Sequence, residues 1–191
     1  MSLLDGFEEG GSNNFIISYH NNGQIYRHGR MKNNRPDGFW TFFYENGSIK
    51  ELSTYKDGKR VSYIGFEYRS NGKLKSQGEF NQYDEPNGLL TFYYENGKIR
   101  LQRSFKKGLQ VGPFTEYYKN GRVETEGIWN ENGKEEGLFT GYYENGNKKI
   151  ELMFENGILN GPSTEYNKNG DKKFEGIYKN GEIVIDSVVK N

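Results

Sequence analysis

The chain has 191 residues, and its 26 Lys and Arg balance 26 Asp and Glu, so its formal net charge at pH 7 is zero. This balance gives no sign of binding to nucleic acid or a charged membrane surface, and the lack of cysteine excludes disulfides, thiolate nucleophiles and zinc–thiolate sites. Alanine is missing altogether, whereas 16% of the residues are aromatic, a bias that favours strands over helices. The composition therefore predicts an all-β protein.

Residues 1–14, "MSLLDGFEEGGSNN", begin the chain without the apolar core of a signal peptide. We expect them to form a flexible or capping segment. No stretch of the chain approaches the roughly 18 apolar residues of a membrane span. The expected localisation is cytoplasmic. The alternative is that a leader peptide has been removed.

A repeat array is predicted over residues 15–181. Asn-Gly pairs recur there at a spacing of 24 or 25 residues, which is typical of stacked repeats. An aromatic residue stands three positions before each Asn; we call these residues the stripe. Its members are Tyr19, Phe43, Tyr68, Tyr93, Tyr117, Tyr142 and Tyr166. Each unit predicts a strand, an Asn-Gly turn, a second strand and a longer Gly-containing turn. The whole forms an elongated single-layer antiparallel meander of about fourteen strands in a twisted open sheet.

The register of each hairpin depends on the length of its Asn-Gly loop. Asn-Gly favours a two-residue type I′ turn, in which both central residues have positive φ. With that turn, the stripe lies opposite Tyr26, Lys50, Lys75, Arg100, Glu124, Lys149 and Lys173. The other face is then apolar and combines three sets, namely Tyr44, Tyr94, Tyr118 and Tyr143, the row Ile25, Ile49, Leu74, Ile99 and Val123, and Trp40, Leu90, Phe114 and Phe139. A three-residue loop with a bulge would swap these partners and pull the stripe onto the apolar face.

The last segment, "EIVIDSVVKN" at residues 182–191, departs from the repeat pattern. It is predicted to be a terminal strand that caps the sheet edge.

The unit "EGIWNENGKEEGLFTGYYENG" at residues 126–146 resembles a MORN repeat. The residues that match its skeleton are Gly127, Trp129, Gly133, Gly137, Tyr142 and Gly146. The similarity is closest to the variant MORN family of bacteria and covers seven units. Arg69 in place of the second Tyr and "NQYDEP" at residues 81–86 depart from it. The resemblance implies a scaffold for protein association, with phospholipid membranes proposed as another target. Some bacterial members are described as antitoxin components, which implies a protein target.

The stripe is the strongest candidate binding surface, because exposed aromatic residues beside cations suit an interface. The predicted partner-binding residues are Phe43, Tyr68, Tyr93, Tyr117 and Tyr142, with Lys50, Lys75, Arg100 and Lys149. The alternative is that cross-strand Tyr–Lys pairs only stabilise the sheet. We interpret the basic segment 98–107 as a solvated strand edge. Nucleic acid is therefore not the expected partner.

Catalysis has little support in the sequence. Its two histidines, His20 and His28, are predicted on opposite faces of the first hairpin, and no catalytic or metal-binding motif is present. We therefore expect no enzymatic activity, cofactor, metal or small-molecule substrate. The predicted function is a non-enzymatic scaffold for protein–protein interaction, with antitoxin-like neutralisation of a partner as one form. The alternative is a phospholipid, cell-envelope or glycan binding module.

Overall fold

The structure is a computed structural model that describes residues 13–188. These residues form fifteen strands and no helix, so none of the described chain could cross a membrane as a helix. The strands make one antiparallel sheet in which the spatial order follows the chain order. They are β1 (Asn13–Tyr19), β2 (Ile25–Lys32), β3 (Arg35–Phe43), β4 (Ile49–Lys56), β5 (Lys59–Tyr68), β6 (Leu74–Asn81), β7 (Pro86–Tyr93), β8 (Ile99–Lys106), β9 (Leu109–Tyr117), β10 (Val123–Trp129), β11 (Glu135–Tyr142), β12 (Lys148–Glu155), β13 (Ile158–Tyr166), β14 (Lys172–Lys179) and β15 (Glu182–Val188). The all-β hairpin meander predicted from the sequence is confirmed.

The chain divides into two compact units, Met1–Asn87 and Gly88–Asn191. The first unit contains β1 to β6, and the second contains most of β7 and all of β8 to β15. In the second unit, β15 pairs with β14 along its whole length. The expected division into residues 1–14, 15–181 and 182–191 stays a prediction, because residues 1–12 and 189–191 lie outside the described part of the chain.

The Asn-Gly loops contain three residues, not two. In the loop Glu95–Gly97, the Gly97 amide donates to the Tyr94 carbonyl at 3.0 Å, and the Tyr94 amide donates to the Lys98 carbonyl at 2.8 Å. Gly97 has φ +82°, whereas Asn96 keeps a negative φ. The predicted type I′ turn is therefore wrong. The physical reason is that the Asn96 side chain accepts the Lys98 amide at 3.0 Å, which favours a type I turn followed by a left-handed Gly.

Two-residue turns occur at the opposite ends of the hairpins, where the sequence predicted the longer turn. At Asp57-Gly58 both residues have positive φ, as a type I′ turn requires. The other turns of this kind are Asn33-Asn34, Lys107-Gly108, Asn156-Gly157 and Asn180-Gly181.

The three-residue loop creates a bulge that changes the register. Tyr93 lies opposite Ile99, and Phe92 lies opposite Leu101, so Arg100 has no cross-strand partner in the hairpin. The row Ile25, Ile49, Leu74, Ile99 and Val123 therefore shares a face with the stripe, which corrects the predicted pairing of the stripe with Lys50, Lys75, Arg100 and Lys149. We call this side of the sheet the stripe face and the other side the core face.

The core face contains the best-buried apolar side chains of the described residues, Trp40 and Leu101, with 3% and 6% exposure. Trp40 contacts Tyr55 with ring centroids 6.1 Å apart, and in the second unit Phe139 contacts Phe154 at 4.9 Å. The expected apolar face is thus confirmed for the residues that open each repeat. A single sheet buries few side chains completely, so these ring contacts stabilise each unit from hairpin to hairpin.

Candidate functional site

The tyrosine that directly follows a stripe aromatic connects neighbouring hairpins. Its hydroxyl reaches the next hairpin and donates to a main-chain carbonyl: Tyr94 to Tyr117 and Tyr118 to Tyr142, both at 2.6 Å. The same bond joins Tyr143 to Tyr166 at 2.8 Å and, in the first unit, Tyr44 to Phe66 at 3.0 Å. These tyrosines are fixed by the stacking of hairpins, so they are poor candidates for partner recognition.

The loop asparagines also connect neighbouring hairpins. The side-chain amide of Asn96 donates to the Lys119 carbonyl at 2.9 Å, and that of Asn120 donates to the Glu144 carbonyl at 3.1 Å. Each also accepts the amide two residues ahead, at 3.0 and 2.8 Å respectively. The recurring Y-x-N-G motif is therefore explained by local turn geometry and inter-hairpin hydrogen bonds.

Tyr118→Phe should lower the free energy of unfolding by about 1 kcal/mol, the typical net value of one hydrogen bond. The loss arises because the Tyr142 carbonyl loses its hydroxyl donor. Urea denaturation measures the change, and Tyr26→Phe is the matched control, because no partner holds the hydroxyl of Tyr26 within residues 13–188. Equal losses in both variants would contradict the inter-hairpin role.

In the second unit, three stripe hydroxyls are bound within the sheet. Tyr142 donates to Glu126 and Tyr166 to Glu151, both at 2.6 Å, and Tyr117 donates to Gln102 at 3.3 Å. These acceptors lie opposite a row of threonines, of which Thr91 and Thr140 are only 2% and 5% exposed. The stripe face of the second unit therefore contains a polar network, beside which Leu89 and Leu138 are 40% and 48% exposed.

The hydrogen bond from Tyr142 to Glu126, helped by burial, raises the pKa of Tyr142 to about 12. An unfolded tyrosine ionises near 10, so this bond stabilises the fold fully below pH ~10 and is lost as the pH rises towards 12. Glu126→Gln should shift the ionisation of Tyr142 back towards the ordinary value. Tyrosinate absorbance in a pH titration measures the shift, and Glu45→Gln, in an exposed turn, should leave the titration unchanged.

The predicted cations do not lie against the stripe. Lys75 pairs with Glu67 at 3.1 Å, and the Arg100 guanidinium lies 5.7 Å from the centre of the Phe92 ring. Glu67 and Phe92 each precede a stripe residue, and therefore point to the core face. Lys50 lies 5.8 Å from the ring centre of Tyr44, and Lys149 is exposed. The structure brings the cations to the bulges and leaves the stripe aromatics with apolar and polar neighbours.

The stripe face of the first unit differs from that of the second in the polarity of its side chains. Leu52 and Ile64 lie directly opposite each other, where the second unit has Glu126 opposite Thr140. Both Leu52 and Ile64 are 37% exposed, and neighbouring Phe39 is 84% exposed. An apolar surface replaces the polar network at this point.

These side chains line a groove of about 530 Å³ within the first unit. Its stripe-face walls are Phe39, Leu52 and Ile64, with Thr41, Thr54 and Ser62 between them. Glu79 is the one carboxylate among the residues that line it. The groove can therefore take an apolar side chain, with the hydroxyl groups of Thr41, Thr54 and Ser62 nearby. We call it the Phe39 groove.

The histidines have structural neighbours. The His20 ring nitrogen Nε2 lies 2.9 Å from the Phe43 carbonyl, in the place that the second tyrosine takes in later repeats. The His28 ring packs between Phe15 and Phe43, with centroids 5.5 Å from each. Among residues 13–188, no cluster of three His, Asp or Glu side chains is suited to hold a metal ion.

The hairpins with two-residue end turns have a counterpart among known repeats. A family model described as the MORN repeat variant matches residues 36–57, 86–107, 135–156 and 159–180. These four segments are MORN-variant repeats. Each matched MORN segment covers one hairpin and ends at the first residue of a two-residue turn. The hairpins β5–β6 and β9–β10, which lie between the matches, end in three-residue loops closed by Asn81 and Asn130.

The MORN repeat is a non-catalytic module that in general mediates interactions with proteins or membranes. A comparison with curated proteins finds no match to this chain. The function is therefore inferred from the surface itself. Sequence reasoning missed Phe39, Leu52 and Ile64, although one signal was present: Leu52 stands six residues after its loop Asn, where the second unit has Gln102, Glu126 and Glu151.

Proposed function

We propose that this protein with MORN-variant repeats is a non-enzymatic scaffold that binds another protein through the stripe face of its first unit. The observation that carries the proposal is the exposed apolar set Phe39, Leu52 and Ile64, in which Leu52 stands where the second unit has Gln102, Glu126 and Glu151. Large exposed aromatic and aliphatic side chains that converge on a groove are typical of interface anchors. The partner would present an apolar side chain to the Phe39 groove.

The stripe residues contribute unequally to this proposed surface. Phe43 and Tyr68 lie on the stripe face of the first unit and add contact area beside the groove. Tyr93, Tyr117 and Tyr142 lie on the stripe face of the second unit, where a partner would meet the edges of the polar network. Lys50, Lys75, Arg100 and Lys149 would contact a partner only from the bulges, and so would orient it electrostatically.

Neutralisation of a toxic partner protein is one form that such binding would take. An antitoxin works by covering a surface of its target, and a hairpin sheet offers area without an enclosed pocket. The Phe39 groove would supply the anchor, and the rest of the stripe face of the first unit would supply coverage.

The test begins with affinity capture from extracts of the source cell, followed by titration calorimetry with the purified partner. Phe39→Ser should weaken binding by roughly 30-fold or more, which corresponds to about 2 kcal/mol, the lower bound for an interface hot spot. Leu138→Ser is the matched control, because Leu138 follows a glycine at the same repeat position of the second unit and is 48% exposed.

Equal affinities of the wild type and Phe39→Ser for the partner would refute the proposed binding surface. If no protein is captured and the wild type sediments with anionic liposomes in a salt-sensitive way, lipid binding replaces protein binding as the function.

A further inference from the structure

Two of the Asn-Gly loops hold their asparagine differently from the others. In the loops with sequence Y-x-N-G, the Asn side chain is fixed: Asn96 accepts the Lys98 amide and donates to the Lys119 carbonyl. In the loops "NENG" at 130–133 and "NKNG" at 167–170, an earlier asparagine takes over this role. Asn130 accepts the amides of Asn132 and Lys134, at 2.9 and 3.2 Å.

Asn167 acts in the same way in the loop 167–170. Its side-chain oxygen accepts the amides of Asn169 and Asp171, at 2.9 and 3.0 Å. The asparagine directly before the glycine is thereby released: among residues 13–188, no hydrogen bond holds the side chain of Asn132 or Asn169. Both side chains are exposed.

An unheld Asn-Gly pair is a site of spontaneous chemistry. The main-chain nitrogen of the glycine attacks the Asn side-chain carbonyl carbon, the new C–N bond closes a succinimide ring, and the amide nitrogen leaves as ammonia with the displaced proton. Water then opens the ring at either carbonyl and yields aspartate or isoaspartate. Glycine favours the attack because it has no side chain to block the approach.

The loops allow the effect of the side chain to be separated from that of the nucleophile. In the folded state the attacking amide is engaged to nearly the same degree everywhere: Gly97 donates at 3.0 Å, Gly133 at 3.0 Å and Gly170 at 3.0 Å, each to the carbonyl three residues back. The loops therefore differ in whether the Asn carboxamide can rotate to meet that nitrogen.

We propose that Asn132 and Asn169 are the modification sites of this array, the Asn-Gly positions of its three-residue loops that convert first to aspartate and isoaspartate in the folded protein. Each conversion adds a negative charge, and isoaspartate also inserts a methylene into the main chain of the loop. At 167–170 this happens in the loop that joins β13 to β14, and at 130–133 it happens in the loop that joins β10 to β11.

The intact chain is incubated at neutral pH, and the modified fraction at each site is measured by peptide mapping with mass spectrometry. Asn132 and Asn169 should convert roughly fivefold faster than Asn96, Asn120 and Asn145, the factor equivalent to one net hydrogen bond. In urea, where the loops are unfolded, the sites should lose this difference. Equal rates at all five sites in the folded protein would overturn the proposal.

Asn167→Tyr restores the Y-x-N-G pattern in the loop 167–170 and gives a matched variant. It should slow the conversion of Asn169 to the rate of Asn145 and leave that of Asn132 unchanged, with folding confirmed by circular dichroism. An unchanged rate at Asn169 in the folded variant would also overturn the proposal. If the variant does not fold, the comparison of conversion rates among the five sites of the wild-type molecule still tests the proposal.

Discussion

Replacing Gly29 by alanine should lower the free energy of unfolding by about 3 kcal/mol, the upper end for overpacking a close-fitting core site. Gly29 lies on the core face directly opposite Trp40. A Cβ atom there would lie 2.5 Å from Cγ and Cε2 of the Trp40 indole and closer still to Cδ2. The ring cannot yield cheaply, because Trp40 is 3% exposed and its Nε1 donates to the Arg30 carbonyl at 3.0 Å.

Urea denaturation followed by tryptophan fluorescence measures this loss, and Gly65→Ala is the matched control in the same unit. A Cβ on Gly65 would meet Tyr63 at 3.3 Å and Phe80 at 3.4 Å, contacts that small shifts can accommodate. The control should therefore stay within about 1 kcal/mol of the wild type. Adding Trp40→Leu to Gly29→Ala should recover part of the loss, because the smaller side chain relieves the clash. Wild-type stability of Gly29→Ala would show that the indole does not lie over the glycine.

The sequence could predict the hairpins because their signals are local and repeat many times. The repeat period, the stripe and the Gly-containing turns all indicated strands whose side chains alternate between the two faces of a sheet. The apolar row that includes Trp40, Leu90, Phe114 and Phe139 lies on one face, as expected. The loop length could not be predicted with the same success. Asn-Gly suits both a two-residue type I′ turn and the last two positions of a three-residue loop. The choice depends on the side-chain bond from Asn96 to the Lys98 amide, which spacing alone does not reveal.

One unpredicted residue per loop was enough to misplace the candidate site. The bulge leaves Arg100 unpaired and turns Ile99 towards Tyr93, so the predicted ladder of aromatics and cations does not form. The Phe39 groove was missed for a related reason. Leu52 and Ile64 face each other because the register between β4 and β5 differs by two residues from that between β8 and β9. Ile64 lies four residues before Tyr68, whereas Thr115, the partner of Gln102, lies two residues before Tyr117. Such a contact depends on the register of two neighbouring repeats, so no single repeat contains its signal.

Copying the polar pair of the second unit into the first should abolish most of the proposed partner binding. Leu52→Glu with Ile64→Thr places a Glu directly opposite a Thr, as Glu126 lies opposite Thr140 in the second unit. Both replaced side chains are over a third exposed, so the change should alter the free energy of unfolding by less than about 1 kcal/mol. Binding should weaken roughly 100-fold, or about 3 kcal/mol, because the partner's apolar side chain would meet a carboxylate that must lose its water.

The added charge is controlled by Gln102→Glu, which places a carboxylate on the stripe face of the second unit at the position that corresponds to Leu52. That variant should bind the partner as the wild type does, because it removes no apolar contact from the Phe39 groove. Titration calorimetry with the captured partner measures both variants. A loss of binding in Gln102→Glu as large as in the double variant would locate the interface on the polar network, and unchanged binding in the double variant would exclude the Phe39 groove. Since the double variant copies a pair that the fold already contains, the loss of affinity would reflect the chemistry of the groove and not damage to the sheet.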